Sequence, residues 1–301
     1  NSPRRAGRTR RVDGPSLLGN RLARTDPTYL GGSLQQNCWY APTTILDNMQ
    51  QSQPEDRINL EAVRQIILGN DDTVVASFQT LCGPEIDRAL DVLAAAYRDF
   101  QDRQDDVALT EQTATVQLFI HVALNSTMTS LHHLVHGHPI AAGHMMRHTM
   151  EAIPMAMLCA VPETGVYDRY DSDRSRFDVG SALHLVTQRK NAKALAESLG
   201  FDVEAWREVL KMIELFDDLS HASALSLGFH IKFTEEGGLV LGSEFDPAKS
   251  KEYESDVTRR RSAAESLQHV IPIIMGALPR RGGSPAAQQG LEGPDTSAHA
   301  L

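Results

Sequence analysis

Seven of the twelve histidines fall in one short stretch: His121, His132, His133, His136, His138, His144 and His148. Imidazole is the commonest protein ligand for transition metals and the side chain best suited to proton transfer near neutrality. At 100° per residue, His121, His132 and His136 project within roughly 60° of one another on one helix. On the next helix His144, Arg147, His148 and Glu151 share a face. His144, His148 and Glu151 supply two imidazoles and a carboxylate, a workable set for a divalent transition metal such as zinc, iron or manganese. Two such helices packed antiparallel can close a site in a bundle core, although di-iron bundles use Glu-x-x-His pairs and more acids than this stretch contains. The same histidines serve equally well to cap helix ends, to bond a buried charge, or to face water around Gly137.

A second constellation joins Arg147 and Glu151 to His221. Arg147 and Glu151 lie one helical turn apart and can pair, and the helix that carries them is otherwise strongly apolar. A charged pair there faces the core or a cleft, where Arg147→Ala is expected to cost several kcal/mol. His221, from a later helix, completes a polar pocket around Arg147, Glu151 and His221, bordered by His144 and His148. Such a pocket suits anion binding or general acid–base chemistry, and it is equally a fold-specifying network. Asp217, Ser220 and His221 hold the residue types of a hydrolytic triad, but adjacent residues on a helix point 100° apart, which excludes it.

Other chemistries are absent. The chain has no Gly-x-x-x-x-Gly-Lys phosphate loop, no dinucleotide glycine fingerprint, no His-Glu-x-x-His and no Gly-x-Ser-x-Gly. Asp171-Ser172-Asp173 begins like a calcium loop but places Arg176 where the turn glycine belongs and Ala182 where the bidentate acid belongs. No cofactor is predicted, with a divalent metal as the alternative.

The elements that must position these residues are helices. Asn59–Leu68 reads as a short helix. A second begins at Pro84, with Ile86, Leu90, Leu93, Ala94 and Tyr97 as its apolar stripe, and ends in the polar Arg98–Asp106 stretch. A long helix spans about Thr110 to Val135, stopped by Gly137 and Pro139. The next runs towards Ala160 with a kink at Pro154. A polar loop over Glu163–Asp178 precedes helices around Ser181–Ser198 and Val203–Leu227. Alternating Phe229, Ile231, Phe233 and Leu239, Leu241 about Glu235-Glu236-Gly237-Gly238 predict a β-hairpin over 229–242. Asp246-Pro247 opens a final helix reaching about Leu278. The expected fold is mostly α: a helical bundle over 55–278 with one β-hairpin before the last long helix, an irregular leader (1–54) and a disordered tail (279–301).

Composition agrees with that class: 301 residues, 41% apolar, 23% charged, 6% aromatic and a net charge of −10. Residues 1–24 hold seven arginines against Asp13. An acidic body with a basic arm repels nucleic acid except through that arm. Three widely spaced cysteines, Cys38, Cys82 and Cys159, fit a reducing cytoplasm rather than a disulfide framework. No apolar run follows the arginines, which argues against a secretory signal. His144, Arg147, His148 and Glu151 interrupt the most apolar window, Ile140–Val161, so it is not expected to span a membrane.

Arg147-x3-Glu151, Leu219-Ser220-His221, the hairpin and the last helix together resemble uncharacterised bacterial all-helical proteins, over about 110–278. Those are similar in outline to the helical HEPN domains of toxin and phage-defence systems, several of which are ribonucleases. The ribonuclease motif of that group, arginine and histidine with four to six residues between, is not matched here. Arg176–His184 and Arg261–His269 each have seven residues between them. The resemblance therefore implies either a non-catalytic member that binds a ligand or partner in stress or defence, or a ribonuclease with a non-standard motif. The leading expectation is a cytoplasmic ligand- or partner-binding helical domain, with homo-oligomerisation open. A metal-dependent or acid–base enzyme using the His121–Glu151 region is the alternative.

Overall fold

The computed structural model describes residues 71–202, 206, 229 and 243–282. Among the described residues four long helices make the framework: α1 (Asp72–Gln104), α2 (Glu111–Val135), α3 (Pro139–Ala160) and, after the shorter pieces α4 (Val166–Ser172), α5 (Ala182–Leu185) and α6 (Arg189–Leu199), helix α7 (Ser250–Ala277). The mostly α architecture is as expected. Among the described residues there is no strand, only an isolated antiparallel bridge between Val107 and Arg280. The hairpin expected over 229–242 lies outside the described residues except for Phe229, which is helical. The helices expected at Asn59–Leu68 and, apart from Trp206, at Val203–Leu227 also lie outside, as does the leader.

The α2–α3 hairpin follows the sequence closely. Thr110 caps α2: its hydroxyl accepts from the Thr113 amide at 3.1 Å, and the Thr113 hydroxyl accepts from the Thr110 amide at 2.9 Å. Gly137 adopts φ +74° after the last turn, and Pro139 opens α3. Along the seam the side chains are short. Thr127 and Thr149 hydroxyls meet at 3.0 Å in full burial, and both reach the Ala123 carbonyl. Below them Phe119, Ile120, Leu124, Met155 and Leu158 join Leu195, Leu267, Ile271 and Ile274 in the main core. Each such buried side chain contributes about 1.5–3 kcal/mol.

Three expectations are corrected. The helix expected to begin at Pro84 begins instead at Asp72, and Pro84 is internal. Phe78 and Cys82 continue the buried stripe of Ile86, Ala89, Leu93, Ala96 and Phe100 straight through the proline. Burial of that stripe outweighs a proline cost of about 3 kcal/mol, and Pro84 itself is exposed, as is Thr80 one turn before it. The stretch 163–178 is not all loop, because Tyr170 of α4 packs edge-on to Phe119 and to Phe177, giving a short polar helix an apolar anchor. The segment 181–198 is broken between α5 and α6, and Asn191 donates to the Leu185 carbonyl at 2.9 Å across the break.

Residues 279–282, expected to belong to the disordered tail, have a defined place, and the rest of that segment lies outside the described residues. Ala108 donates to the Pro279 carbonyl and Arg281 to the Asp106 carbonyl, each at 2.8 Å, so residues 279–282 are held against the α1–α2 loop. That contact, Phe78–Tyr253 (4.9 Å) and Glu85–Arg261 (2.6 Å) advance together along both segments. Helices α1 and α7 therefore run parallel. Neighbouring helices joined by short loops are antiparallel, so a parallel pair requires the chain to return first.

Candidate functional site

Arg147 and Glu151 pair as expected. Arg147 Nε donates to Glu151 Oε1 at 2.9 Å, with the side chains 30% and 18% exposed. The pair is half-buried at the flank of α3 rather than sealed in the core. The turn at Val179–Ser181 lies beside it. A Cβ added to Gly180 would stand 3.4 Å from Glu151 Oε1 and 3.3 Å from Asp178 Oδ1. His221 lies outside the described residues.

His144 and His148 are exposed, and the Glu151 carboxylate is engaged by Arg147. Among the described residues no three His, Cys, Asp or Glu side chains come together in a way that would hold a metal ion, so His144, His148 and Glu151 are not assembled as a ligand set. Their helical spacing puts them on one flank, but Glu151 leans inward to its arginine while the imidazoles point to water. On α2, His121 shares an angular position with His132 but is eleven residues away, about 16 Å along the axis. It packs edge-on to Tyr97 instead.

The other histidines do cluster, at the α2–α3 corner. Ring centroids of His132 and His136 are 4.0 Å apart, His132 and His133 5.8 Å, and His133 and His138 6.2 Å. Burial, then the neighbouring imidazoles, lower the pKa of His132 and His133. His138 Nε2 is 3.8 Å from Asp71 Oδ2, and Ser243 Oγ donates to Asp71 Oδ1 at 2.6 Å. The corner is thus tied both to the start of α1 and to the segment leading into α7.

Beside this corner is a cleft of about 140 Å³, lined by Gly137, His138, Pro139, Ile140, Ala141, Phe229, Glu244, Asp246, Lys249 and Tyr253. Asp246 Oδ1 caps the turn before α7 by accepting from the Ala248 amide at 3.0 Å. Asp246 Oδ2 lies 3.4 Å from Lys249 Nζ, and both side chains are only 3% exposed. Lys249 Nζ also donates to the Phe229 carbonyl at 3.3 Å and sits 5.8 Å from the centre of the Phe229 ring. Burial is the largest influence on this amine and lowers its pKa, against the opposing pull of Asp246. Tyr253 stacks on Phe229, and burial pushes its phenol up to about 12.

Comparison with protein-family models, with curated proteins and with solved structures finds no match in any of the three. The site must therefore be read from its own chemistry.

Sequence reading passed over this cleft, although a signal is present. Asp246, Lys249, Tyr253, Asp256 and Arg260 follow one another at spacings of three and four, the seam of a single helix face. Charges at seam positions are the anomaly. All five are buried, and further along the same face Leu267, Ile271 and Ile274 fill the main core. Asp256 Oδ1 is 2.5 Å from an Arg260 guanidinium nitrogen and 4.0 Å from Arg259. The two cysteines among the described residues offer no chemistry. Cys82 and Cys159 are free and buried, with thiols raised to about 11 and about 12, chiefly by burial.

Proposed function

We propose that this chain is a ligand-binding helical module whose site is the cleft between the α2–α3 corner and the start of α7. The observation that carries this reading is the buried Lys249–Asp246 pair at a concave, largely apolar surface. Replacing a buried ion pair by well-packed apolar residues is often neutral or stabilising, so stability alone gives little reason to retain one. A small recess with apolar walls and a few convergent polar groups is the usual form of a small-molecule site. Pro139, Ile140 and Ala141 supply the apolar wall, Phe229 and Tyr253 the aromatic one, and Lys249 with Asp246 the polar floor. No described helix is long and apolar enough to cross a membrane.

The test is a screen of small neutral, amine and carbonyl compounds, read from the methyl resonances of Ile140 and Ala141 in the full chain. Saturable shifts that disappear in Ile140→Trp, a variant that fills the cleft, are the expected result. Shifts that persist in that variant, or none from any compound, overturn the assignment, provided the variant melts as the parent does.

A further inference from the structure

We propose that Lys249 captures small, neutral carbonyl compounds in this cleft by forming a Schiff base through Nζ. The inference rests on the cleft being a ligand site and names the ligand chemistry.

Three observations converge on it. The first is residue choice. The chain has 29 lysines and arginines, of which only Lys190, Lys193, Lys211, Lys232, Lys249 and Lys251 are lysines. Where a permanent buried charge is needed, at 260, it uses arginine beside Asp256. Arginine cannot lose its proton in a protein, whereas a buried lysine can, and lysine is the one that forms imines. At the cleft the chain uses lysine. The second is location. Lys190, Lys193 and Lys251 are exposed, while Lys249 is buried and lines a recess with room for a few heavy atoms. Desolvation beside an aromatic wall is the usual way a lysine amine is made nucleophilic at neutral pH. The third is the partner. Asp246 Oδ2, 3.4 Å from Nζ, is placed to take a proton and give it back.

The step balances without an outside reactant. The Lys249 ammonium gives a proton to the Asp246 carboxylate, and the freed nitrogen lone pair attacks the carbonyl carbon. The carbonyl π pair moves to oxygen, and a proton passes from nitrogen to that oxygen, giving a carbinolamine. Asp246 then returns its proton to the hydroxyl, the C–O bond breaks and water leaves. Ammonium and carbonyl become protonated imine and water, nothing is oxidised or reduced, and Asp246 ends as it began. Two acids, Asp246 and Glu244, line the same recess, which favours neutral aldehydes and ketones over keto acids.

The experiment incubates the full chain with butanal and cyanoborohydride at mildly acidic pH, then maps alkylated lysines by peptide mass spectrometry. Burial lowers the pKa of Lys249, which raises the fraction of amine free to attack. Lys249 should therefore be modified faster than the exposed Lys190, Lys193 and Lys251. Lys249→Arg should abolish that product. Ile140→Trp should suppress it at Lys249 and leave the exposed lysines as they were. Alkylation at Lys249 no faster than at the exposed lysines, or unchanged by Ile140→Trp, overturns the proposal. If butanal shifts the Ile140 methyl without trapping at Lys249, covalent capture fails while the cleft stands as a binding site. If no compound shifts that methyl, the site itself fails.

Discussion

Arg260 Nε donates to Ser130 Oγ at 2.8 Å, and Ser130 Oγ in turn donates to the Ala142 carbonyl at 2.7 Å. This chain of two bonds runs from α7 through α2 to α3 in full burial and joins residues 130 positions apart. Arg260 also holds Asp256, one turn earlier on α7. Arg260→Met therefore leaves the buried Asp256 carboxylate with the more distant Arg259, 4.0 Å away, and it should cost about 3 kcal/mol, the lower end of the usual penalty for removing one partner of such a pair. The double variant Arg260→Met/Asp256→Leu should recover most of that loss. Urea unfolding of both decides the matter, and equal stabilities for the single and double variants would show that Asp256 is not what Arg260 neutralises.

Gly137 is fixed by two independent constraints. Its φ of +74° is a region that other residues enter only with strain, and an added Cβ would stand 2.7 Å and 2.9 Å from the Glu244 backbone. Gly137→Ala should cost about 2 kcal/mol or more, and because the obstruction is backbone, no rotamer change relieves it. A melting temperature equal to the parent's would mean that the 243–245 segment does not hold against the corner in solution.

The histidine corner makes stability depend on pH in a definite direction. His132 and His133 have folded-state pKa values below the ordinary 6.5. Between the lowered value and 6.5 the unfolded chain binds more protons, so acid favours unfolding. Their contribution is complete above about pH 6.5 and is lost as pH falls through the lowered folded-state values. Urea midpoints measured from pH 7.5 to pH 5 should decline, and His132→Gln/His133→Gln should flatten that decline. An equally steep decline in the double variant would assign it to other groups.

For Arg147 and Glu151, whose side chains keep 30% and 18% exposure, partial access of water reduces the energy expected from sequence. A one-turn helical pair that water reaches is worth about 0.3–1 kcal/mol, not several. A double-mutant cycle with Arg147→Met and Glu151→Gln should give a coupling in that range. A coupling of about 3 kcal/mol would put the pair in a drier setting than its exposure indicates.

How far the sequence carried the reading varies by residue. The α2–α3 hairpin was legible because Thr110, Gly137 and Pro139 act locally: capping, left-handed backbone and a missing amide need only near neighbours. The Arg147–Glu151 contact was legible for the same reason, since it spans one turn. Pro84 was misread because the local preference of proline for a first turn was outweighed by Phe78 and Cys82 packing against α7, a contact invisible in a local window. The histidine cluster was visible as composition, yet which imidazoles meet was not. Angular position alone grouped His121 with His132, whereas axial distance separates them and the turn at Gly137 brings His138 to His133.

By itself, then, the sequence determined the helical class, the boundaries set by caps and breakers, and the pairs within one turn. Periodicity and capping are encoded over a handful of residues. Tertiary structure alone decided that α7 lies parallel to α1, that Ser130 receives Arg260, and that Lys249 and Asp246 face Gly137 and Ile140 across a cleft. Those relationships join segments more than a hundred residues apart. They are set by which apolar seams bury each other most completely, a property of the whole packed chain rather than of any stretch of it.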